Sequence, residues 1–270
     1  MTEREEQIVG TAWAKKHNGT LIENDYRGCS FENMKDEFTR KELKEAEDIL
    51  VSCEKDGIKF IPCTSNDFPL PMRKNIEMPA GVFVMGNVSL KKLLGNGTEA
   101  FSVVGSRDMS PYGREATEKI VSNISQTCRK PVVVSGLALG IDATAHRASI
   151  AYGVPTIAVI PCGLDIVYPL MHRMLAKQIV EKGGVLISQF VPGTAPMAIN
   201  FILRNRIIAG MSDTTILVES KLKGGAMVTV RLAHDYGKKV LAVPGRLDDI
   251  RSAGCNQLIK EHVATLYDNL

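Results

Sequence analysis

From position 101 onward, short β-branched apolar runs alternate with helix-length stretches in which apolar residues recur every three or four positions. The runs are FSVVG (101–105), PVVVSG (131–136), PTIAVIPCG (155–163), GVLISQF (184–190), TTILVES (214–220) and KVLAVPG (239–245). The stretches between them, 112–128, 143–152, 170–182, 201–210 and 226–236, predict helices. Strands that are apolar at consecutive positions are covered on both faces, and strands separated by helices lie parallel. The pattern therefore predicts an α/β fold with an extended Rossmann-like, doubly wound, mostly parallel sheet. Upstream, 41–55 predicts a charged surface helix, IKFIP (58–62) a short strand, and GVFVMGN (81–87) a strand able to join the main sheet. Pro62, Pro69, Pro71 and Pro79 punctuate the stretch between those strands. The first 40 residues are polar, hold the only tryptophan, Trp13, and show little periodicity, as a small, loosely packed segment would. These boundaries divide the chain into a small N-terminal helical or irregular extension (1–57) and a Rossmann-fold domain (58–270).

Composition narrows the class. With 270 residues, 44% apolar and 23% charged, the chain is that of a folded globular protein rather than a disordered one. Its longest apolar run, 154–160, is interrupted by Pro155 and falls far short of the roughly 20 residues that cross a bilayer. The opening MTEREEQ is acidic where a signal peptide is basic. A cytoplasmic protein without a membrane partner is expected. The six cysteines (Cys29, Cys53, Cys63, Cys128, Cys162, Cys255) form no C-x-x-C pair, so they are expected as reduced thiols rather than as a zinc site or a disulfide framework. The net charge of +3 is unevenly placed. Residues 1–100 hold 14 basic against 17 acidic side chains, and residues 101–270 hold 19 against 13. An excess of this size is either ordinary fluctuation or a leaning of the second part toward anionic ligands.

In an open parallel sheet, ligands gather outside the carboxyl ends of the strands. Gly105-Ser106-Arg107 follows the first run, and Ser110-Pro111-Tyr112-Gly113 opens a helix. Small residues permit a tight turn, free N–H groups at a helix start attract an anion, and the forked guanidinium of Arg107 suits phosphate. The same residues would also make an ordinary turn with a surface arginine. The second run ends in Ser135-Gly136-Leu137-Ala138-Leu139-Gly140-Ile141-Asp142, where Gly136 and Gly140 admit close backbone approach and Ser135 offers a hydroxyl. This loop, facing the first, makes half of a phosphate cradle. It is not G-x-G-x-x-G, and no acidic residue ends the second strand as a dinucleotide site requires. Asp142 and His146 share a helix face, a spacing that a metal could use, but no third ligand accompanies them. The alternative has Asp142 capping a helix start and His146 packed near the loop.

The third run ends in Cys162-Gly163-Leu164-Asp165, where Cys162 lacks an evident base and is expected to be an inert packed thiol. After the fourth come a loop, 191–198, and then Phe201-Ile202-Leu203-Arg204-Asn205-Arg206. Two positions apart on a helix, Arg204 and Arg206 point about 200° from each other and cannot serve one site. One reaches the groove, and the other is held inside against a carboxylate such as Glu219. Arg204 is favoured as the groove residue, although the pattern leaves the helix rotation open. Asn205 is placed to fix a loop backbone, and Lys223-Gly224-Gly225 opens a further helix as a third anion-binding turn. No Ser-His-Asp order, paired carboxylates or Walker lysine is present, so no catalytic set, cofactor or metal is expected.

Several motifs in register resemble the DNA-processing protein A, or DprA/Smf, family. They are V-G-S-R (104–107), S-G-L-A-x-G-I-D-x-x-A-H (135–146), C-G-L-D-x-x-Y-P (162–169), F-x-x-R-N-R-I-I-A-G (201–210), V-E-x-x-x-x-G-G (218–225), A-V-P-G (242–245) and S-x-G-x-N-x-L-I (252–259). Asp67-Phe68-Pro69, Met78-Pro79 and Phe83-x-x-Gly86-Asn87 are similar to the family's lead-in segment. The resemblance implies a homodimer that binds single-stranded DNA, protects it and helps load the RecA recombinase during natural transformation. It implies a DNA groove built on Arg107, Ser135, Gly136 and Gly140. Together with the strand-tip reading, this places Gly105, Ser106, Arg107, Ser135, Gly136, Gly140, Ile141, Asp142, Gly163, Phe201, Arg204, Asn205, Arg206, Lys223, Gly224 and Gly225 at the nucleic acid. The chain departs from the family pattern at Gln189, Ile202 and Gly224, where glutamate, proline and serine are usual, and 191–198 offers neither an aromatic nor a lysine. No C-terminal winged-helix domain and no N-terminal helix-hairpin-helix pattern is expected within these residues. Two alternatives share the fold: a nucleotide-binding sensor module, and a nucleoside-monophosphate N-glycosidase, whose P-G-G-x-G-T loop is missing here.

Overall fold

A computed structural model of the chain describes residues 1–17, 21–22, 31–74 and 78–268. Cys29 lies outside the described residues. Among the described residues, nine strands form one sheet: β1 (Ile58–Pro62), β2 (Gly81–Met85), β3 (Glu99–Val104), β4 (Pro131–Ser135), β5 (Thr156–Val159), β6 (Val185–Ser188), β7 (Thr214–Leu217), β8 (Lys239–Ala242) and β9 (Thr265–Leu266). Their spatial order is β9-β8-β7-β3-β4-β5-β6-β2-β1. The seven strands from β9 to β6 pair in parallel, while β2 and β1 are added antiparallel at one edge. All six runs of the C-terminal part become strands, and both upstream runs join the same sheet. The expected doubly wound fold is the observed one.

Continuous apolar runs are needed because successive residues feed opposite layers. Val103 packs with Ile120, Val121 and Ile124 of α3 (Pro111–Thr127), whereas Val104 packs with Ile207 and Ile208 of α6 (Ala198–Met211) on the other face. The remaining covering helices are α4 (Ile141–Ala151), α5 (Arg173–Glu181), α7 (Gly225–Asp235) and α8 (Ala253–Lys260). From β3 the chain winds outward through β4, β5 and β6, then returns by α6 to lay β7 on the other side of β3. The winding direction thus reverses between β3 and β7, opening a crevice at their carboxyl ends.

The first 40 residues differ from their expectation. α1 (Glu3–Lys16) is capped by a box in which Thr2 accepts from the Glu5 N–H and the Glu5 side chain accepts from the Thr2 N–H. Its buried face is Val9, Gly10, Thr11, Ala12 and Ala14. A Cβ on Gly10 would stand 2.6 Å from the Phe60 ring, so glycine lets α1 close onto β1. Val9 and Ala12 belong to the same apolar cluster as Val82 and Val84 of β2. α2 (Arg40–Lys55) carries its charges outward and buries Ala46, Leu50 and Cys53.

Cys53, Cys63, Cys162 and Cys255 are buried free thiols and Cys128 is half-buried. Burial, with Asp165 nearby, pushes the Cys162 thiol up to about 11, so at neutral pH it stays protonated. His146 does not pack by the loop; it sits fully inside, with Nδ1 2.7 Å from the Thr156 hydroxyl. That hydroxyl donates to the Val133 carbonyl, so it can only accept from the imidazole, which fixes the Nδ1–H tautomer.

Burial, reinforced by His172, Arg204 and Arg147, lowers the His146 pKa from 6.5 to about 3. Between those values the unfolded chain takes up a proton that the folded chain refuses, so this contribution is complete above pH 6.5 and is lost as pH falls toward 3. The slope per proton is about 1.4 kcal/mol per pH unit. Urea unfolding of wild type and His146→Leu at pH 7, 6 and 5 should show their stability difference shifting by about that slope below pH 6.5, against the wild type. Parallel pH profiles would show that His146 is protonated in the folded protein.

Candidate nucleic-acid interface

The crevice at the switch point is a groove of about 450 Å³. One wall is the turn after β3, Gly105 to Asp108, and the opposite wall is Ser220, Lys221 and the start of α7. α6 closes the side with Phe201, Asn205 and Ile208. The turn after β3 is held from below: the Ser106 N–H donates to the Glu219 carbonyl at 2.8 Å, and the Ser106 carbonyl accepts from the Ile141 N–H at 3.1 Å. The Ser106 hydroxyl accepts from the Asp108 N–H, so the turn folds back on itself. Arg107 is left pointing outward, exposed, with its guanidinium 4.9 Å from the centre of the Phe201 ring. Among the described residues neither Arg107 nor Lys221 meets a carboxylate within ion-pair distance.

Two helix starts were expected to face an anion, and they differ. At α3 the position is already filled. The buried Glu219 carboxylate accepts from the Ser110 N–H at 2.9 Å and from the Ser110 hydroxyl, while that hydroxyl accepts from the Gly113 N–H. A side chain at Gly113 would collide with the Glu219 carboxylate, which explains the glycine. The expectation of free N–H groups at this helix start is therefore corrected: the protein supplies its own anion. At α7, Gly224 occupies the cap position with no side-chain bond to the helix, and Gly225 and Ala226 line the groove. Asn205 donates to the Gly225 carbonyl at 3.4 Å and fixes that turn, as its position between the arginines suggested. Lys223 is exposed but does not line the groove; Lys221, which sequence reasoning passed over, does.

The arginine assignment is also corrected. Arg204 is 4% exposed and lies in the groove floor, donating to the Val159 carbonyl at 3.1 Å. It lies against Gly136, where any Cβ would collide with its guanidinium. The carboxylate facing it is Asp142, not Glu219. Asp142 caps no helix; its Oδ2 accepts from the Gly136 and Ala138 N–H groups at 3.2 and 3.4 Å, tying down the loop that precedes α4. Burial raises the Asp142 pKa against the pull of Arg204, and burial lowers that of Arg204 to about 10 against the pull of Asp142. Arg204 stays charged at neutral pH. Arg206 is half-buried and off the groove.

Other expected ligands are internal. Ser135 is buried and donates to the Val103 carbonyl at 2.7 Å, joining β4 to β3. Ile141 is a core residue. Gly163 is buried, its N–H donating to the Thr194 carbonyl. Gly140, at φ +73°, leaves room for the Ser106 and Arg107 carbonyls. Gly140 thus makes room for the protein's own turn, and Gly136 for the Arg204 guanidinium. What the structure brings together at the groove is Gly105, Ser106, Arg107, Phe201, Asn205, Gly224 and Gly225, over a floor of Asp142 and Arg204.

The sequence profile described as DNA recombination-mediator protein A matches residues 59–270. The chain belongs to that family. It is 36% identical to DNA processing protein DprA of Streptococcus pneumoniae over 194 residues, 72% of this chain and 66% of that protein. It is 35% identical to DprA of Bacillus subtilis over 220 residues, 81% and 71% of the two chains. With protein Smf of Escherichia coli the identity is 35% over 224 residues, 83% and 57%. The chain thus spans between about three fifths and seven tenths of these relatives' lengths. The fold superposes on the S. pneumoniae DprA crystal structure with a TM-score of 0.73 at 30% identity, covering 97% of this chain and 89% of that one. DprA of Helicobacter pylori, whose structure was described for its single-stranded DNA binding mode, gives a TM-score of 0.68 at 27% identity, covering 78% and 92%.

Arg204 is the charge that offsets the burial of Asp142, and removing one of two facing buried polar groups costs about 3–5 kcal/mol at most. Arg204→Met should therefore lower unfolding stability by that order, and the double variant Arg204→Met/Asp142→Asn should recover part of the loss. Chemical denaturation of the three proteins decides this. An Arg204→Met protein as stable as the parent would mean that Asp142 is not left uncompensated.

Proposed function

We propose that this protein holds single-stranded DNA by its phosphate backbone in the switch-point groove. The observation that carries this reading is the pairing of two uncommitted cations, Arg107 and Lys221, with the uncapped start of α7 across one crevice. Such an arrangement attracts phosphate and carries no base-reading code. Family membership supports it, as does the single-stranded DNA binding mode of the H. pylori relative. The same resemblance extends the reading to a cytoplasmic homodimer that protects the strand and passes it to the RecA recombinase. The glycosidase alternative needs a glutamate open to a ligand, whereas Glu219 is buried against Ser110.

Binding measured by fluorescence anisotropy should favour single strands over duplex and weaken steeply with salt. Arg107→Ala should cost roughly 10- to 100-fold in affinity, the value of one charge-assisted phosphate contact, with an unchanged melting temperature. The magnitude of the log K against log salt slope should fall by about 0.7, and Arg107→Lys should recover only part of the affinity. An Arg107→Ala protein that binds oligonucleotide like the parent would remove the groove from the function.

A further inference from the structure

Two carboxylates line the groove, Asp108 and Asp142, and each is met by an arginine from another part of the chain. In the floor Asp142 faces Arg204. At the rim, Asp108 directly follows Arg107 in the turn after β3, and its side chain is mostly exposed. Arg251 reaches it from outside the groove. Its Nη2 stands 3.6 Å from Asp108 Oδ2, and its Nε donates to the Asp108 carbonyl at 3.2 Å. The Ser106 hydroxyl donates to that same carbonyl at 3.0 Å. The backbone of Arg251 belongs to the opposite wall. Its carbonyl accepts from the Ser220 N–H at 2.7 Å, and the Gly254 N–H donates to the Ser220 carbonyl at 2.8 Å. Asp249 braces the arginine within its own loop, accepting from the Arg251 N–H at 2.9 Å and standing 3.7 Å from Nη1. The guanidinium thus reaches from the wall of Ser220 to the wall of Arg107 while lining none of the groove itself.

We propose that Arg251 is a positioning residue whose charge keeps Arg107 available to phosphate by occupying Asp108. The proposal rests on the single-strand reading of the groove and adds to it what leaves its arginine free. A carboxylate next in sequence to Arg107, left without a partner, acts against an anionic ligand twice. It offers the Arg107 guanidinium a competing partner, and it repels a phosphate approaching the turn. With Arg251 in place the Asp108 charge is offset, and Arg107 lies over the Phe201 ring with no ion-pair partner among the described residues. The groove therefore holds its acids matched to arginines, while Arg107 and Lys221 stay unmatched. Arg251 acts through Asp108 and not on the ligand, which separates its role from theirs.

The test is a double-variant cycle on the full chain, read as the dissociation constant of a short fluorescein-labelled oligothymidylate at low salt. Arg251→Ala should weaken binding about fivefold, the order that one exposed ion pair is worth. Made in the Asp108→Asn protein, the same substitution should change affinity by less than about twofold, because the charge that Arg251 offsets is gone. Arg251→Lys should bind within about twofold of the parent, since lysine still supplies the charge. Arg251→Gln should lose as much as alanine, although its amide can still donate to the Asp108 carbonyl. Added salt should shrink the difference between parent and Arg251→Ala. A loss that persists in full in the Asp108→Asn protein overturns the proposal, because Arg251 then touches the strand or only shapes its loop. Equal binding by Arg251→Ala and the parent overturns it too. Should Arg251→Ala fold poorly, the lysine and glutamine variants decide, and equal losses in both reject the role of the charge. All of these outcomes leave the groove reading standing. A parent protein that does not bind the oligothymidylate overturns that reading, and the role of Arg251 with it.

Discussion

A guanidinium that solvent hardly reaches holds the groove in register. Arg204 reaches from α6 to the Val159 carbonyl at the end of β5, lies against Gly136 at the tip of β4, and faces Asp142. Asp142 in turn gathers the Gly136 and Ala138 N–H groups. α6 is apolar around most of its surface, so apolar burial alone fixes its rotation loosely, and a buried charge with one set of partners removes that freedom. Once position 204 points down, Phe201, Asn205 and Ile208, three and four positions away or adjacent, are turned toward the groove. Burying Arg204 beside Asp142 is costly, and each is held by hydrogen bonds to backbone groups of the surrounding loops.

Glu219 acts on the electrostatics as Arg204 acts on the geometry. Its side chain closes the start of α3 while its carbonyl anchors the Ser106 N–H, so one residue both neutralises a helix end and shapes the turn that carries Arg107. The start of α7 receives no such closure. Two equivalent helix ends beside one crevice are thereby made unequal, and attraction for an anion is concentrated on the side of Lys221.

The sheet was legible because strands buried on both faces are apolar without interruption, and all eight expected runs are strands. α1 escaped because its buried face is built from small residues, Gly10, Thr11, Ala12 and Ala14, which give little contrast; the readable signal was Thr2 and Glu5 at capping-box spacing. At the site, Gly105, Arg107 and Gly225 could be located from strand ends alone. The choice between Arg204 and Arg206 could not, because it depends on a contact with Gly136, 68 positions earlier, that no local spacing encodes. The same is true of Glu219, whose partner Ser110 is 109 residues away. Gly136, Gly140 and Gly163 leave room that neighbouring protein takes, and a sequence does not say whether an approaching group belongs to a ligand or to the chain itself.

The strand order carries a consequence for when the groove can exist. β7 pairs with β3, Phe101 lying opposite Thr214, so the two walls come from segments 113 positions apart. A growing polypeptide that has reached β6 owns Arg107 and its turn but has nothing across from it. Closing so long a loop carries an entropic cost that grows slowly with its length. A groove with both walls therefore exists only once β7 has paired with β3. A strand lying across both walls would also clasp the last-placed element to the first, slowing its release and protecting the whole sheet by an amount set by ligand concentration relative to its dissociation constant.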